Sequence, residues 1–237
     1  MSLDQIILIN KPLRWTSFDV VKKVKNVLTN ELYQKEGKKA WLKVGHAGTL
    51  DPLATGLLIL CTGKMTRKIS GIQDAEKEYS GSFVLGSTTA SYDLETEKSE
   101  AVSISHLTEK MILDAVEKFK GKIQQIPPAH SAVKVDGVRA YTRARKGQLV
   151  ELEAKEVHIR NFEITNIVLP RVDFIVVCSK GTYIRSLVHD LGSMLGCGAY
   201  LSSLCRDRIG EYSLVDSMSM DDFISKYSSE TKLSLQM

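Results

Sequence analysis

A glycine-rich stretch at residues 45–56 holds the residue types best suited to chemistry. It reads GHAGTLDPLATG and contains three glycines, one proline and a single acidic residue, Asp51. Glycine permits positive φ angles and a close approach of the backbone to a ligand. Because the stretch runs into an apolar segment typical of a buried strand, we expect a rigid support for Asp51. Asp before Pro is also common at turns and helix starts, so a structural role stays open.

The elements that must position Asp51 alternate irregularly between strand-like and helix-like stretches. Apolar runs predict strands at 5–10, 57–61, 78–85, 157–168 and 172–177. Apolar residues at helical spacing, or cap signals, predict helices at 17–28, 66–75, 107–119, 185–195 and 221–227. The dipeptide Asp136-Gly137 predicts a hairpin within 131–141. Because strands and helices do not alternate regularly, we expect an α+β fold with a mixed or antiparallel sheet core flanked by helices.

The composition permits a nucleic-acid partner without requiring one. The 237-residue chain is 43% hydrophobic, enough for a large core, and carries a net charge of +4. We recognise no signal peptide, and no apolar run approaches the ~18 residues that a membrane-spanning helix needs. Cys61, Cys178, Cys197 and Cys205 form neither a C-x-x-C pair nor a zinc spacing. We therefore expect free, buried thiols in a cytoplasmic protein and no metal site.

Motifs spread along most of the chain resemble those of one family. The 45–56 stretch is similar to the signature of the TruB-type family, the tRNA pseudouridine-55 synthases. Further matching segments follow in family order: Asn10-Lys11-Pro12, Thr16-Ser17, Lys77-Glu78-Tyr79, Gln125-Ile126-Pro127-Pro128, Ser131-Ala132-Val133-Lys134, 178–185, 190–192 and 196–199. The resemblance covers roughly residues 5–213, and several separated motifs in order argue against chance similarity.

The resemblance implies an RNA-modifying isomerase with the pseudouridine synthase fold. Such an enzyme breaks the bond between N1 of uracil and the ribose, rotates the base and rejoins it through C5. The implied substrate is uridine 55 in the T-loop of tRNA, and neither a metal nor an organic cofactor is needed. We therefore expect the tRNA T-stem-loop as partner, with no membrane and no obligate protein partner. We also expect a monomeric, cytoplasmic enzyme.

The resemblance also implies roles for individual residues. Asp51 matches the catalytic carboxylate, which either attacks C1′ or removes a proton from C2′. Arg185 matches the arginine that pairs with this carboxylate, and Tyr79 matches the tyrosine that stacks on the uracil. The implied substrate-binding residues are His46, Tyr183, Leu204 and Lys11; for Lys11 the role is either phosphate binding or structural hydrogen bonding. Outside the family context these side chains have ordinary structural alternatives, such as a salt bridge, a capping position or packing in the core.

Basic residues form three clusters, of which the resemblance selects one as an RNA contact. The clusters are Lys64, Arg67 and Lys68; Arg139, Arg143, Arg145 and Lys146; and Arg206 and Arg208. Runs of this kind usually mark a solvated surface. The second cluster lies in the thumb-like RNA-binding insertion that the resemblance implies near 125–155, so we expect its side chains to contact the RNA backbone.

The end of the resemblance near residue 213 sets the expected domain boundary. We expect a catalytic domain at 1–213 and a short C-terminal tail at 214–237. That tail is too short for the small RNA-binding PUA domain that many family members carry. We therefore expect weaker tRNA binding without loss of chemistry.

Three alternative functions fit the sequence less well. A guide-RNA-dependent synthase of the box H/ACA type belongs to the same superfamily but needs the PUA domain. A non-catalytic RNA-binding module or tRNA chaperone would not need Asp51, Tyr79 and Arg185 together. A retaining glycosidase would need a second carboxylate about 5 Å from the first, and the motifs offer none.

Overall fold

The computed structural model describes residues 4–37, 41–135 and 137–233, with side chains described through residue 227. The strands are β1 (Ile6–Lys11), β2 (Val44–His46), β3 (Ala54–Thr62), β4 (Lys77–Leu85), β5 (Gly121–Gln125), β6 (Lys134–Val135), β7 (Val138–Arg139), β8 (Lys155–Val168), β9 (Arg171–Cys178), β10 (Ala199–Ile209) and β11 (Tyr212–Ser213). The α-helices are α1 (Ser17–Glu36), α2 (Ile69–Asp74), α3 (Glu109–Glu117), α4 (Ala140–Ala144), α5 (Ile184–Met194) and α6 (Met220–Leu233). Across the described residues, every helix is too short or too polar to span a lipid bilayer.

The described chain divides into two compact units. The first contains the described residues up to Lys77 and from Cys205 onward, and the second is Glu78–Leu204. Strand β10 therefore contributes its beginning to the second unit and its end to the first. The sheet is mixed and flanked by helices, so the predicted α+β class is confirmed.

Strand β3 is the centre of the first unit. It pairs antiparallel with β1, in a register running from Ile6↔Cys61 to Lys11↔Gly56, and antiparallel with β2. Both faces of β3 are buried: Leu58 and Leu60 enter one apolar cluster, while Leu57, Ile59 and Cys61 enter another. A strand buried on both faces has to be continuously apolar, which is why the run at 57–61 predicted it.

Helix α1 covers one of these clusters. It begins at a capping box in which Thr16 and Asp19 satisfy each other's backbone N–H groups, and it ends at Gly37, which has a φ of 63°. Its apolar stripe, which includes Val20, Val24 and Leu28, packs with Met220 and Phe223 of α6. The segment assigned to a C-terminal tail therefore contributes to the core of the first unit.

The second unit is a sheet in the order β10-β4-β9-β8-β5, with α3 and α5 packed against each other. Strands β8 and β9, which correspond to the two strands predicted at 157–168 and 172–177, pair antiparallel. The ring of Phe174 lies 5.9 Å from that of Phe83 and 5.8 Å from that of Phe162, between centroids. All three rings are fully buried and belong to the core of this unit.

A basic insertion, defined as residues 134–135 and 137–146 and containing β6, β7 and α4, lies between β5 and β8. The two short strands pair antiparallel through Lys134↔Arg139 and Val135↔Val138. Gly137 has a φ of 79°, which the predicted hairpin requires, whereas Asp136 lies outside the described residues. The amide of Tyr141 donates to the carbonyl of Ser131 (3.0 Å), which ties α4 to the segment before the hairpin.

Candidate active site

The backbone around Asp51 is held by hydrogen bonds on both sides. The amide of Ala54 donates to the carbonyl of Asp51 (3.1 Å), and the amide of Arg14 donates to the carbonyl of Pro52 (2.7 Å). Ser17, buried at the start of α1, accepts from the amide of Leu50 (2.8 Å) through its hydroxyl oxygen. The loop is therefore fixed to the segment that begins α1 as well as to β3, while Asp51 itself stays half-buried.

Lys11 lies fully buried beneath this loop. Its Nζ donates to the carbonyls of Trp15 (2.6 Å), Pro12 (3.0 Å) and Pro52 (3.4 Å). Burial lowers the pKa of the Lys11 ammonium to about 8, an effect that the negative charge of Asp51 opposes. These contacts favour the structural hydrogen-bonding role for Lys11 over contact with RNA phosphate.

Arg206 is a second buried cation behind the same loop, with only 1% of its surface exposed. Its guanidinium donates to the carbonyls of Leu57 (2.9 Å), Gly48 (3.0 Å) and Thr49 (3.4 Å). Arg206 therefore does not lie on the solvated surface that a basic cluster such as Arg206 and Arg208 usually marks. Its guanidinium is directed inward, where it satisfies two carbonyls of the turn-rich loop and one of β3.

His46 ends β2, opposite Leu60 of β3, and is half-buried. Burial lowers the pKa of its imidazole, and the nearby positive charge of Arg206 lowers it further, while a backbone hydrogen bond with Gly48 opposes both effects. The neutral ring is therefore favoured near pH 7. A neutral, half-buried imidazole is suited to stacking against a nucleobase.

In the second unit, Arg185 lies in the first turn of α5 and is 4% exposed. Its Nη1 donates to the carbonyl of Ser91 (3.2 Å) and its Nη2 to the carbonyl of His130 (3.0 Å). Its Nε lies 3.6 Å from Oδ2 of Asp93, whose side chain is 6% exposed. The guanidinium is thus held from three directions within one unit.

The loop at residues 89–96 holds Asp93 in place. The hydroxyls of Thr89 (2.6 Å) and Ser91 (3.2 Å) both donate to the carbonyl of Asp93, and the amide of Ser91 donates to the hydroxyl of Thr96 (3.0 Å). The amide of Glu95 donates to Oδ1 of Asp93 (3.0 Å). Sequence reasoning missed Asp93; the cluster of Thr and Ser around one aspartate was the available signal.

Tyr183 is positioned by the buried side chain of Gln125 at the end of β5. The amide of Tyr183 donates to Oε1 of Gln125 (2.7 Å), and Nε2 of Gln125 donates back to the carbonyl of Tyr183 (3.1 Å). Tyr183 is half-buried and precedes α5 directly. Tyr79, on β4, is 9% exposed, and Leu204, on β10, is half-buried.

The basic insertion carries the four side chains predicted to contact the RNA backbone. Arg139, Arg145 and Lys146 are exposed, and Arg143 is half-buried. Arg145 forms an ion pair with Glu95, with Nη2 2.7 Å from Oε1, and it lies over the ring of Tyr141 at 5.3 Å. The cluster is therefore at the surface, as a phosphate-binding role requires.

The predicted site residues fall into two groups. Lys11, His46 and Asp51 belong to the first unit; Tyr79, Tyr183, Arg185, Leu204 and the basic insertion belong to the second. Within the part of the chain that the structure describes, no three His, Cys, Asp or Glu side chains are grouped so as to hold a metal ion. The four cysteines are free; three are buried, and Cys205 is half-buried.

Comparison with family models matches the chain from residue 33, near the end of α1, to residue 235. Residues 33–184 match the N-terminal domain of the TruB family pseudouridylate synthases, and residues 185–235 match the C-terminal domain of tRNA pseudouridylate synthase B. The chain therefore belongs to the TruB family of pseudouridylate synthases, which confirms the resemblance seen in its motifs. The second match spans both sides of residue 213, and a domain boundary there stays a prediction.

Two curated relatives match over nearly their full length. The tRNA pseudouridine synthase B of Flavobacterium johnsoniae is 50% identical over 92% of this chain and 94% of its own. That of Phocaeicola vulgatus is 47% identical over 92% of this chain and 91% of its own. Both names report pseudouridine formation in tRNA, which agrees with the reaction that the motifs imply.

A solved structure supports the same fold. A chain from a crystal structure of a Cbf5–Nop10–Gar1 complex superposes with a TM-score of 0.70 at 29% identity. The match covers 95% of this chain, which spans 54% of that one. The predicted pseudouridine synthase fold is thereby confirmed.

Proposed function

We propose that this chain converts uridine 55 in the T-loop of tRNA to pseudouridine, with Asp51 as the catalytic carboxylate. Its support is the near-50% identity with two tRNA pseudouridine synthases B over more than nine-tenths of their length. Identity at that level and extent covers the elements that carry Asp51, Tyr79 and Arg185. Proteins of this family are pseudouridylate synthases.

The reaction exchanges one glycosidic bond for another. The bond between N1 of uracil and C1′ breaks, the base rotates, and C5 bonds to C1′. The proton on C5 leaves, and N1 gains one, so atoms and charge balance without an oxidant or a water molecule. Asp51 either attacks C1′ or removes the proton from C2′, and both paths need an anionic carboxylate at a fixed position.

The residues around Asp51 suit its role as the catalytic carboxylate. Its loop is fixed by hydrogen bonds to the Ser17 hydroxyl, and the buried cations Lys11 and Arg206 lie behind it. A positive charge in a medium of low dielectric stabilises a nearby negative charge more strongly than it would in water. We therefore expect these cations to support the carboxylate through the reaction while holding the loop.

The remaining residues are assigned by their positions and chemistry. Tyr79, a buried ring on β4, stacks on the uracil, and its hydroxyl relays the proton from C5. Arg185 is the buried cation of the second unit, and its planar fork suits it to orient an oxygen anion. Tyr183 and Leu204 bound the uracil site. His46 stacks against a nucleotide of the opened T-loop. Because its imidazole is neutral, stacking does not require a charge to be removed from water.

We assign binding of the RNA backbone to the basic insertion. Arg139, Arg143, Arg145 and Lys146 form its positive side chains, and phosphate contacts of this kind supply affinity without reading sequence. Extruding a uridine from a folded loop costs a few kcal/mol, which phosphate and stacking contacts offset. We further propose that the enzyme acts as a monomer on tRNA in the cytoplasm, where its substrate is processed.

Mapping of the product tests the assigned position. An unmodified tRNA transcript is incubated with the protein, treated with a carbodiimide that marks pseudouridine, and copied by reverse transcriptase. We expect a stop one nucleotide 3′ of position 55, and no stop there with a transcript that carries cytidine at position 55. Stops at other uridines, or none at all, would overturn the assignment.

A further inference from the structure

Glu95 connects two parts of the second unit: the basic insertion and the loop that holds Arg185. Its Oε1 accepts from Nε (3.0 Å) and Nη2 (2.7 Å) of Arg145. Its backbone amide donates to Oδ1 of Asp93 (3.0 Å), whose Oδ2 lies 3.6 Å from Nε of Arg185. One residue thus binds the insertion through its side chain and the partner of Arg185 through its backbone.

His130 provides a second connection along the same path. Its buried Nδ1 lies 3.8 Å from Oε1 of Glu95, and the His130 side chain is 10% exposed. Its carbonyl accepts from Nη2 of Arg185 (3.0 Å). Glu95 therefore contacts the surroundings of Arg185 at two points, through Asp93 and through His130.

The Glu95–Arg145 pair is too exposed for stability to be its main contribution. The side chains of Arg145 and Glu95 are 56% and 29% exposed, and pairs this accessible to solvent contribute little to stability. Its geometry is nevertheless specific, because two nitrogens of Arg145 share one carboxylate oxygen and the guanidinium also lies over the Tyr141 ring. Fixed geometry with little stabilisation indicates a positioning role.

We propose that Glu95 is a positioning residue: it holds Arg145, and with it the basic insertion, in a fixed relation to the Arg185–Asp93 pair. RNA bound by the basic insertion is then held in one fixed orientation relative to Arg185. This inference rests on the proposed function, because Arg185 acts on a uridine only if the chain is a pseudouridine synthase.

The test compares Glu95→Ala, Arg145→Gln and the double variant with Glu97→Ala, an exposed glutamate two residues further on. We expect Glu95→Ala to lower the single-turnover rate of pseudouridine formation about threefold to fivefold, the effect of losing one exposed pair. Its dissociation constant for tRNA should not rise, because a negative charge near the RNA backbone is removed. Arg145→Gln should lower the single-turnover rate and also weaken tRNA binding. The double variant should react no more slowly than Arg145→Gln alone. Glu97→Ala should match the wild type.

Limited digestion of the free protein with proteinase K tests, in the absence of RNA, whether the Glu95–Arg145 pair holds the basic insertion in place. We expect Glu95→Ala and Arg145→Gln each to speed cleavage between residues 134 and 153, and Glu97→Ala to leave it unchanged. Multiplied rate losses in the double variant, or wild-type rate and cleavage in Glu95→Ala, would overturn the proposal. A wild-type protein that binds tRNA but forms no pseudouridine would instead refute the proposed function. The digestion would still test whether the Glu95–Arg145 pair holds the basic insertion.

Discussion

Two cations buried behind the Asp51 loop are the unusual feature at the scale of single residues. Lys11 and Arg206 are almost fully buried, and their hydrogen-bond partners there are backbone carbonyls of the loop and its flanks. Burying a charge costs several kcal/mol unless hydrogen bonds replace the lost water. A loop rich in glycine and proline leaves many carbonyls without partners in a helix or sheet, so it can supply those bonds.

Lys11 gives the first prediction, which concerns pH and stability. Its pKa is about 8 in the folded protein and 10.5 as the ordinary value, so between these pH values the unfolded chain binds a proton that the folded chain does not. The contribution of Lys11 to stability is therefore largest above pH 10.5 and is lost as the pH falls through 8. Urea unfolding of wild type and Lys11→Met should show a stability difference that grows from pH 8 to 10.5. A difference that is flat or shrinks with rising pH would contradict the burial of a titrating Lys11.

Residue types could be predicted from the sequence better than their surroundings. The motif around Asp51 marked the loop, and Lys11 was named as a candidate from a separate motif, without any indication that it lies beneath that loop. Arg206 was grouped with surface residues because nothing in its neighbours showed that its side chain turns inward. Asp93 was missed because its partner, Arg185, is distant in sequence, and only folding brings the two charges together.

At the scale of elements, the pairing of β3 with β10 fixes where the loop begins and where Arg206 lies. Gly56 has a φ of 99°, and a Cβ added there would lie 2.4 Å from the carbonyl oxygen of Arg206. Only glycine avoids both the backbone strain and the overlap. The two strands can therefore approach closely only if position 56 has no side chain.

Gly56→Ala should accordingly destabilise the protein by more than about 3 kcal/mol. Gly71→Ala is the matched control, because a Cβ at that position in α2 meets nothing within 4 Å. Alanine there should be neutral or stabilise by up to about 1 kcal/mol, through its higher helix propensity. Thermal melts of both variants measure the contrast; equal melting temperatures would show that the approach of β10 to β3 is not as described.

Elements with a clear period were predicted, and elements whose polarity breaks the period were not. Strands β1, β3, β8 and β9 follow apolar runs or alternation, and α1 follows helical spacing with a cap. Strand β10 was missed because serines, Arg206, Asp207 and Arg208 interrupt its apolar residues. Those polar side chains find partners only after the sheet has formed, so a local pattern cannot indicate them.

At the scale of the whole molecule, the net charge of +4 is too small to indicate a nucleic-acid partner, but the distribution of the positive charge favours one. The basic insertion places four cationic side chains in one short surface segment. Local concentration of charge on a modestly basic protein is suited to binding a polyanion at one place. It also makes the affinity depend on salt, because each neutralised phosphate releases counterions.

Neutralising Arg143, Arg145 and Lys146 should weaken tRNA binding and flatten its dependence on salt. The slope of log K against log salt should fall in magnitude by about 2 to 3, at roughly 0.7 to 0.9 for each phosphate contact. The matched control replaces Lys110, Lys118 and Lys122 with glutamine, an equal change of charge at exposed positions outside the insertion. Filter binding over a range of salt concentrations measures both; equal slopes for the two triple variants would refute the assignment of the insertion to phosphate contacts.

The most direct test of the account is release of tritium from uridine labelled at C5 in an unmodified tRNA transcript. Wild type and Asp51→Asn are compared, with tRNA binding measured for both. We predict release by the wild type and none by Asp51→Asn, with binding retained, because the amide can neither attack C1′ nor accept a proton from C2′. Release by Asp51→Asn at the wild-type rate would contradict the central claim that Asp51 is the catalytic carboxylate.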